Sequence, residues 1–119
     1  IELVVQEGAH FIGDRGDFVE LLGNLMDNAC KWCREKVRVA VSVPDGLLLT
    51  VEDDGPGIAE ENRAKVLQRG VRTDEKVPGH GLGLAMVHDT VDLYGGKLTV
   101  EASLLGGAQF SVRLPGKRL

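Results

Sequence analysis

The spacing of apolar residues over positions 18–34 predicts a long amphipathic helix. Apolar side chains recur there at intervals of three and four, so Leu21, Leu25 and Ala29 fall on one face. Asp17 stands just before the first apolar residue of this pattern. We therefore expect the Asp17 side chain to cap the first turn of the helix.

Alternating apolar and polar residues predict strands that are joined by tight turns. Pro44-Asp45-Gly46 separates two such runs, and Leu104-Leu105-Gly106-Gly107 separates two more, so each pair of runs reads as a hairpin. The predicted strands cover residues 3–5, 37–43, 47–51, 97–102 and 108–114, with 10–12 as a further candidate.

The order of the predicted elements favours a two-layer α/β sandwich. Two shorter helices are expected at residues 60–67 and 84–93, separated by the aperiodic segment 68–79, which we expect to be functional or mobile. Because hairpins dominate over alternating strand–helix units, we expect a mixed, mostly antiparallel sheet with helices on one face. Residues 1–119 are expected to form one domain.

The composition excludes several classes of protein. The chain carries 14 Lys and Arg against 18 Asp and Glu, a net charge of −4, whereas nucleic-acid binders usually show a basic stripe. No apolar run approaches the ~18 residues that span a bilayer. The chain starts at Ile1, without a methionine, so we expect a fragment of a longer protein. Its 16 glycines, about twice the usual share, gather mainly between Gly55 and Gly107, which favours a ligand loop.

Cys30 and Cys33 form a C-x-x-C pair late in the long predicted helix. A redox pair would be expected at a helix start, and a zinc site would need two further ligands at suitable spacing. We therefore expect reduced, structural thiols in a cytoplasmic domain.

A second, polar face runs along the same helix. Glu20, Asn24 and Asn28 are spaced by four residues and lie on one side, which Lys31 and Trp32 continue. Asn is a poor helix former, so two of them one turn apart need a reason. The face is either simply solvated or part of a metal–phosphate site, because amide oxygens suit Mg²⁺ and a lysine supplies a point charge for phosphate.

Asp53-Asp54-Gly55-Pro56-Gly57 follows the strand at 47–51. One reading is a tight turn and nothing more. In the other reading Asp53 points into a pocket, while Gly55 and Gly57 let a flat ring approach the backbone. A carboxylate there would accept a hydrogen bond from the exocyclic amine of adenine, and guanine, which presents a carbonyl at that position, would be rejected.

Gly79-His80-Gly81-Leu82-Gly83 opens the helix predicted at 84–93. Free backbone N–H groups and the positive end of the helix dipole make such a start a candidate anion site. The motif is not a Walker loop, because no Gly-Lys-Ser/Thr ends it. His80 is expected to be a loop residue and not a catalytic base, and His88 a surface or boundary residue.

The three elements in this order resemble the ATP-binding catalytic domain of sensor histidine kinases. They are Glu20-x-x-x-Asn24-x-x-x-Asn28, Asp53-x-Gly55-x-Gly57 and Gly79-x-Gly81-x-Gly83. The resemblance extends from Phe18 to Leu114 and implies the Bergerat ATP-binding fold shared with gyrase and MutL. The segments at 23–32, 51–58 and 104–108 are particularly similar to PhoQ-type kinases.

The resemblance also implies a role for each matching position, with ATP and Mg²⁺ as cofactors. At the adenine base it places Asp53, Gly55, Gly57 and Ile58, with the Trp32 ring lining the nucleotide pocket. At the phosphates it places Lys31, Arg69, Arg72, Lys76, Gly79, His80, Gly81, Leu82 and Gly83, with residues 68–80 forming a mobile ATP lid. Asn24 and Asn28 would hold Mg²⁺. Asn24 would serve catalysis, as would Glu20, which matches the acidic position that activates water in the ATPase relatives.

The implied activity is transfer of the ATP γ-phosphate to a histidine on a separate dimerisation domain and later to a response regulator. Neither partner is a nucleic acid. The fragment is expected to be a cytoplasmic monomer, and the intact kinase a homodimer and an inner-membrane receptor. The alternatives are a GHKL-type ATPase or serine kinase, and a non-catalytic module that senses adenine nucleotides.

The sequence departs from the family pattern at three points. Leu67 stands where the family often has Phe, and Trp32 where Tyr or Phe is commoner. None of the three histidines has the helical context of a phosphoacceptor. We therefore expect the chain to bind ATP and to need a separate domain as its phosphate acceptor.

Overall fold

The computed structural model describes residues 1–8, 13–43, 46–67 and 82–115. Within these ranges the elements are β1 (Glu2–Val5), α1 (Arg15–Trp32), β2 (Val37–Ser42), β3 (Gly46–Asp53), α2 (Glu60–Leu67), α3 (Leu82–Leu93), β4 (Lys97–Ala102) and β5 (Ala108–Pro115). The predicted bounds agree with the structure for α2 and β4 and differ by one to three residues elsewhere. The candidate strand at 10–12 and the predicted lid at 68–80 lie outside the described residues.

The strands of the described ranges form a five-stranded sheet in the order β1-β2-β3-β5-β4. Strand β1 runs parallel to β2, and the other neighbours pair antiparallel. The register sets Val51 of β3 opposite Val39 on one side and Phe110 on the other. The prediction of a mixed, mostly antiparallel sheet is therefore confirmed.

Helices α1 and α3 pack against each other and cover one face of this sheet. The buried apolar side chains alternate along β3 and β5, as expected for a sheet with one covered face, while Glu52 and Ser111 are buried on the other face. The most deeply buried apolar residues are Leu21, Leu25 and Ala29 of α1, Val87 and Val91 of α3, and Val39, Leu49, Val51, Phe110 and Val112 of the sheet. Each large side chain buried in this way contributes roughly 1.5–3 kcal/mol. Among the described residues no helix is long and apolar enough to cross a membrane.

The N-terminal cap of α1 is Asp14, so the predicted cap at Asp17 is wrong. The Asp14 carboxylate accepts a hydrogen bond from Asp17 N at 3.0 Å. Asp17 lies in the first turn, where its carboxylate accepts a hydrogen bond from Tyr94 Oη at 2.7 Å. The backbone N–H of Asp14 donates to the same phenol oxygen at 2.9 Å. A residue just beyond α3 thus orients both aspartates at the start of α1.

Both thiols of the C-x-x-C pair are free cysteines. Cys33 ends α1, and its backbone N–H donates to Ala29 O. Partial desolvation, followed by the charges at Cys30, Asp54 and Asp53, raises the pKa of the Cys33 thiol. A raised pKa keeps the thiol neutral and lowers its reactivity, which supports the expectation of structural thiols.

Candidate functional site

Asp53 is the last residue of β3, and only 2% of its surface is exposed. Because side chains alternate along a strand, Asp53 points to the same face of the sheet as Val51, towards the helices. Its Oδ1 accepts backbone hydrogen bonds from Gly55 N at 2.9 Å and from Ala108 N at 3.3 Å. The carboxylate is therefore fixed by the backbone on two sides, and both bonds end on the same oxygen.

Burial makes the charged form of Asp53 unfavourable. Desolvation raises the pKa of Asp53 above its ordinary value, although the hydrogen bonds from Gly55 and Ala108 act in the opposite direction and nearby Asp54 adds to the rise. A desolvated carboxylate interacts more strongly with a hydrogen-bond donor than an exposed one does. Side chains with such perturbed pKa values gather at functional sites.

Two glycines pack so closely around Asp53 that no side chain fits in their place. A Cβ at Gly107 would overlap Asp53 Oδ1 and would lie 2.6 Å from Asp53 O and from Gly55 N. A Cβ at Gly55 would overlap the carbonyl oxygen of Trp32 and would lie 2.9 Å from its carbon. The backbone N–H of Gly107 also donates to Asp53 O at 3.0 Å. Of the two predicted glycines, Gly55 therefore adjoins the carboxylate, whereas Gly57 lies beside Gly107.

The neighbouring Asp54 binds the protein backbone. Its Oδ1 accepts hydrogen bonds from Arg34 N at 2.7 Å and from Glu35 N at 3.1 Å, which ties the end of β3 to the connection between α1 and β2. Its own backbone N–H donates to Lys36 O at 3.2 Å. Desolvation acts to raise the pKa of Asp54, but the N–H groups of Lys36, Arg34 and Glu35 outweigh it, so the pKa is lowered.

Only some side chains on the polar face of α1 are buried, as side chains of a binding site would be. Asn24 and Asn28 are half-buried, whereas Glu20 and Lys31 are exposed. Among the described residues Asn24 Nδ2 is buried and has no hydrogen-bond partner. Rotation of the amide by 180° exchanges Nδ2 and Oδ1, so this position also presents an oxygen ligand. An unsatisfied buried amide of this kind is costly unless a bound group completes it.

The end of α1 joins this polar face to the Asp53 site. Trp32 is half-buried, its carbonyl oxygen touches Gly55, and Lys31 Nζ lies 5.9 Å from the centroid of its ring. Ile58 is half-buried and packs against the core just beyond the glycines. The buried carboxylate, the flat ring and the amides of α1 therefore occupy adjoining elements, and their chemistry fits a base at one end and a metal-bound phosphate at the other.

Several predicted phosphate contacts cannot be placed in this arrangement. Leu82 and Gly83 are the first residues of α3, as expected for backbone donors at a helix start. The others, Arg69, Arg72, Lys76, Gly79, His80 and Gly81, lie outside the described residues.

Sequence reasoning missed two residues of the site. Gly107 was interpreted only as part of a hairpin turn, yet it forms one wall around Asp53. Asp54 was given no role of its own, yet it fixes the loop that follows α1. The available indications were the second glycine of the Gly106-Gly107 pair and the doubled aspartate at 53–54.

Comparison with known proteins agrees with this geometry. Residues 13–118 match the family described as histidine kinase-, DNA gyrase B-, and HSP90-like ATPase. The sensor protein kinase CarS of Pseudomonas aeruginosa is 52% identical over 103 residues, which cover 86% of this chain and 23% of CarS. The sensor protein PhoQ of Escherichia coli K12 is 42% identical over 113 residues, which cover 94% of this chain and 23% of PhoQ.

A solved structure gives the same result at the level of the fold. Full-length ShkA in complex with AMPPNP superposes with a TM-score of 0.81 and 32% identity, covering 99% of this chain and 26% of that chain. The mixed sheet with its helical layer is thus the Bergerat fold of histidine kinase ATP-binding domains. The chain belongs to the family of histidine kinase-, DNA gyrase B- and HSP90-like ATPases, as an ATPase domain of the sensor histidine kinase type. It spans 23% of the length of CarS and of PhoQ.

Proposed function

We propose that this domain binds ATP with Mg²⁺ and presents the γ-phosphate to a histidine on a separate dimerisation domain of the same kinase. The observation that carries the proposal is the buried carboxylate of Asp53, enclosed by Gly55 and Gly107 where β3 meets the C-terminal end of α1. The family and the relatives named CarS and PhoQ support the kinase assignment.

Asp53 is the proposed contact to the adenine base. Both backbone hydrogen bonds end on Oδ1, so Oδ2 is the oxygen that would accept from the exocyclic amine of adenine. Gly55 and Gly57 would shape the pocket through their backbone, Gly55 by its close contact with the Trp32 carbonyl oxygen and Gly57 beside Gly107. Ile58 and the Trp32 ring would pack against the base. Guanine presents a carbonyl oxygen at the same position, which would repel the carboxylate, so the site would select adenine.

Asn24 and Asn28 are the proposed protein ligands of Mg²⁺. The buried Nδ2 of Asn24 has no hydrogen-bond partner among the described residues, and the amide turned by 180° would place its oxygen there as a ligand for a hard cation. When bound, Mg²⁺ neutralises charge on the triphosphate and leaves part of its shell to phosphate oxygens and water. Lys31 adds a point charge, and Glu20 is placed second to the asparagines because it is exposed.

The remaining proposed phosphate contacts lie at the start of α3 and in the segment before it. Leu82 and Gly83 would offer backbone donors to an anion at the helix start. Arg69, Arg72, Lys76, Gly79, His80 and Gly81 are proposed phosphate contacts on the family pattern alone. The protein's contribution to catalysis would then be positioning and charge neutralisation, with the histidine nitrogen attacking the γ-phosphorus in line as ADP leaves.

The partners follow from the proposed kinase role. The first is the dimerisation and histidine-phosphotransfer domain, and the second is the aspartate-bearing response regulator. We propose residues 1–119 as one catalytic domain, monomeric alone, within a homodimeric receptor of the inner membrane whose cytoplasmic part it forms.

Phosphotransfer is tested by mixing this chain with a two-helix histidine domain and ATP labelled at the γ-phosphate. The expected product is an acid-labile, alkali-stable phosphohistidine on the helical domain. Release of labelled phosphate without transfer would favour a GHKL ATPase. An acid-stable phosphoserine would favour the serine kinase, and binding without turnover a nucleotide sensor.

The metal role is tested with Asn24→Ala. We expect this variant to lose far more affinity for ATP in Mg²⁺ than in EDTA, because the lost ligand acts through the cation. Equal losses under the two conditions would remove Asn24 from the metal site.

A further inference from the structure

The turn between β4 and β5, residues 103–107, is held together by Ser103. Its backbone N–H donates to Gly107 O at 2.8 Å, and its carbonyl oxygen accepts from Gly106 N at 3.0 Å. Its hydroxyl oxygen accepts from Leu105 N at 2.9 Å. All three bonds stay within the turn, so they fix its shape but not its position on the domain.

A buried hydrogen bond from Ser103 also ties the turn to β3. The Ser103 hydroxyl donates to Glu52 Oε1 at 2.8 Å, and the two residues are only 8% and 7% exposed. A hydrogen bond to an ionised acceptor is roughly twice as strong as a neutral one. Glu52 Oε2 lies 4.0 Å from Arg38 Nη1, and Arg38 Nε donates to Glu2 Oε1 at 2.7 Å. The carboxylate that accepts from Ser103 therefore also lies near the guanidinium of Arg38 on β2.

The other end of the same turn meets the proposed base-binding carboxylate. Gly107 N donates to Asp53 O at 3.0 Å, and Ala108 N donates to Asp53 Oδ1 at 3.3 Å. Glu52 and Asp53 are consecutive in β3, so their side chains point to opposite faces of the sheet. The turn and the first residue of β5 are thus bonded to β3 at two neighbouring residues, through Ser103 to the Glu52 side chain and through Gly107 and Ala108 to the backbone and side chain of Asp53.

We propose that Ser103 and Glu52 are positioning residues that set the base specificity of the nucleotide site. They hold the turn where Gly107 closes one side of the site and Ala108 fixes Asp53 Oδ1, so that Oδ2 faces the base. Binding sites need their groups held within about 0.5 Å by supporting contacts. The inference rests on the proposed role of Asp53 in binding adenine, and neither residue touches the nucleotide.

The disruptive variant is Ser103→Ala, and Ser111→Ala is its matched control. Ser111 is a β5 serine that is likewise 8% exposed and hydrogen-bonded, to Gln109 Nε2 at 3.1 Å, but it lies outside the turn. Two quantities are measured for each variant of the 119-residue chain. The first is amide hydrogen exchange at Gly107 and Ala108 without nucleotide, and the second is the ratio of the affinities for ATP and GTP by calorimetric competition.

We expect Ser103→Ala to speed exchange at Gly107 and Ala108 and to lower the ATP-over-GTP ratio about five- to tenfold. Ser111→Ala should leave both quantities as in the unmodified chain, even where it lowers the unfolding temperature as much. An equal fall of the ratio in Ser111→Ala would mean general loosening and would overturn the inference.

Asp53→Ala separates this inference from the function on which it rests. If Asp53→Ala lowers the ratio and Ser103→Ala does not, the positioning role is wrong while the adenine site stands. If neither lowers it, the adenine site itself is wrong. Should Ser103→Ala not fold, Glu52→Gln keeps the volume with a weaker, neutral acceptor. It should shift the ratio about two- to threefold, and an unchanged ratio with unchanged exchange would contradict the positioning role.

Discussion

Asp53 and Asp54 are neighbours at the end of β3, yet their carboxylates are placed in opposite surroundings. Asp53 is buried towards the helices, and desolvation raises its pKa. Asp54 sits where the strand ends, and backbone N–H groups that include those of Arg34 and Glu35 lower its pKa despite partial desolvation. The fold therefore disfavours the charge of one aspartate and favours the charge of the next.

On the proposed function, Asp53 serves the ligand, whereas Asp54 serves the fold. A charge that is stabilised by backbone donors contributes to folding, whereas a desolvated charge costs stability until another group completes it. The charge of Asp53 thus lowers folding stability, whereas the charge of Asp54, one residue away, raises it. We therefore expect the same chemical change at the two positions to have different consequences.

The largest effect is expected from Gly107→Ala, because the new Cβ would overlap Asp53 Oδ1. Forcing a methyl into such a space typically costs about 1–3 kcal/mol of stability. Displacing the carboxylate should also remove its contribution to ATP affinity, roughly ten- to hundredfold. Thermal unfolding and a calorimetric titration with ATP check the two parts.

Gly23→Ala is the control for Gly107→Ala. Gly23 lies within α1, and a Cβ there meets nothing within 4 Å. The substitution should therefore stabilise the domain by roughly 0.5–1 kcal/mol and leave ATP affinity unchanged. A loss of affinity in Gly23→Ala as large as in Gly107→Ala would show that the contact with Asp53 is not what matters.

The next effect is a difference between Asp54→Asn and Asp53→Asn, which make the same change at adjacent positions. Asp54→Asn should lower the unfolding temperature, because a neutral amide accepts more weakly from the N–H groups of Arg34 and Glu35. Asp53→Asn should leave the unfolding temperature unchanged or raise it, because it removes a desolvated charge. Equal destabilisation by the two variants would contradict the contrast.

The smallest effect is the pH dependence of these differences. The lowered pKa of Asp54 gives stability that is present above its unfolded value of about 3.9 and is lost as pH falls through the folded value. The raised pKa of Asp53 gives the opposite sign, with stability present below the unfolded value and lost as pH rises through the folded one. Urea unfolding across pH 3–7 gives the free energy of unfolding of the three chains. The excess of the unmodified chain over Asp54→Asn should shrink as the pH falls. Relative to Asp53→Asn, the unmodified chain should lose stability as the pH rises.

Elements with strong local patterns were predictable from the sequence. The bounds of α2 and β4 agree with the structure, and the apolar stripe of α1 is buried where the periodicity placed it. The cap of α1 was wrong because Asp14 and Asp17 are both acceptable cap residues by type. In the structure both aspartates bind Tyr94, which lies 77 residues from Asp17 and 80 from Asp14. A local sequence pattern does not include so distant a contact.

Candidate site residues were predictable where a short motif combines suitable residue types at a suitable spacing. Asp53 at a strand end before glycines, and two asparagines one turn apart, were recognisable as residue types in a spacing. The roles of Gly107 and Ser103 were not, because they depend on β5 pairing with β3 in a register that sets Gln109 opposite Glu52. Only that pairing brings the turn at 103–107 against Asp53.

The most direct test of the account is a calorimetric titration of Asp53→Ala with ATP and with GTP. We expect ATP affinity to fall roughly ten- to hundredfold and GTP affinity not to fall, because guanine loses only a repulsive contact with the carboxylate. The preference for adenine should therefore disappear. If Asp53→Ala binds ATP as tightly as the unmodified chain and still prefers it to GTP, Asp53 does not bind the base and the central claim is wrong.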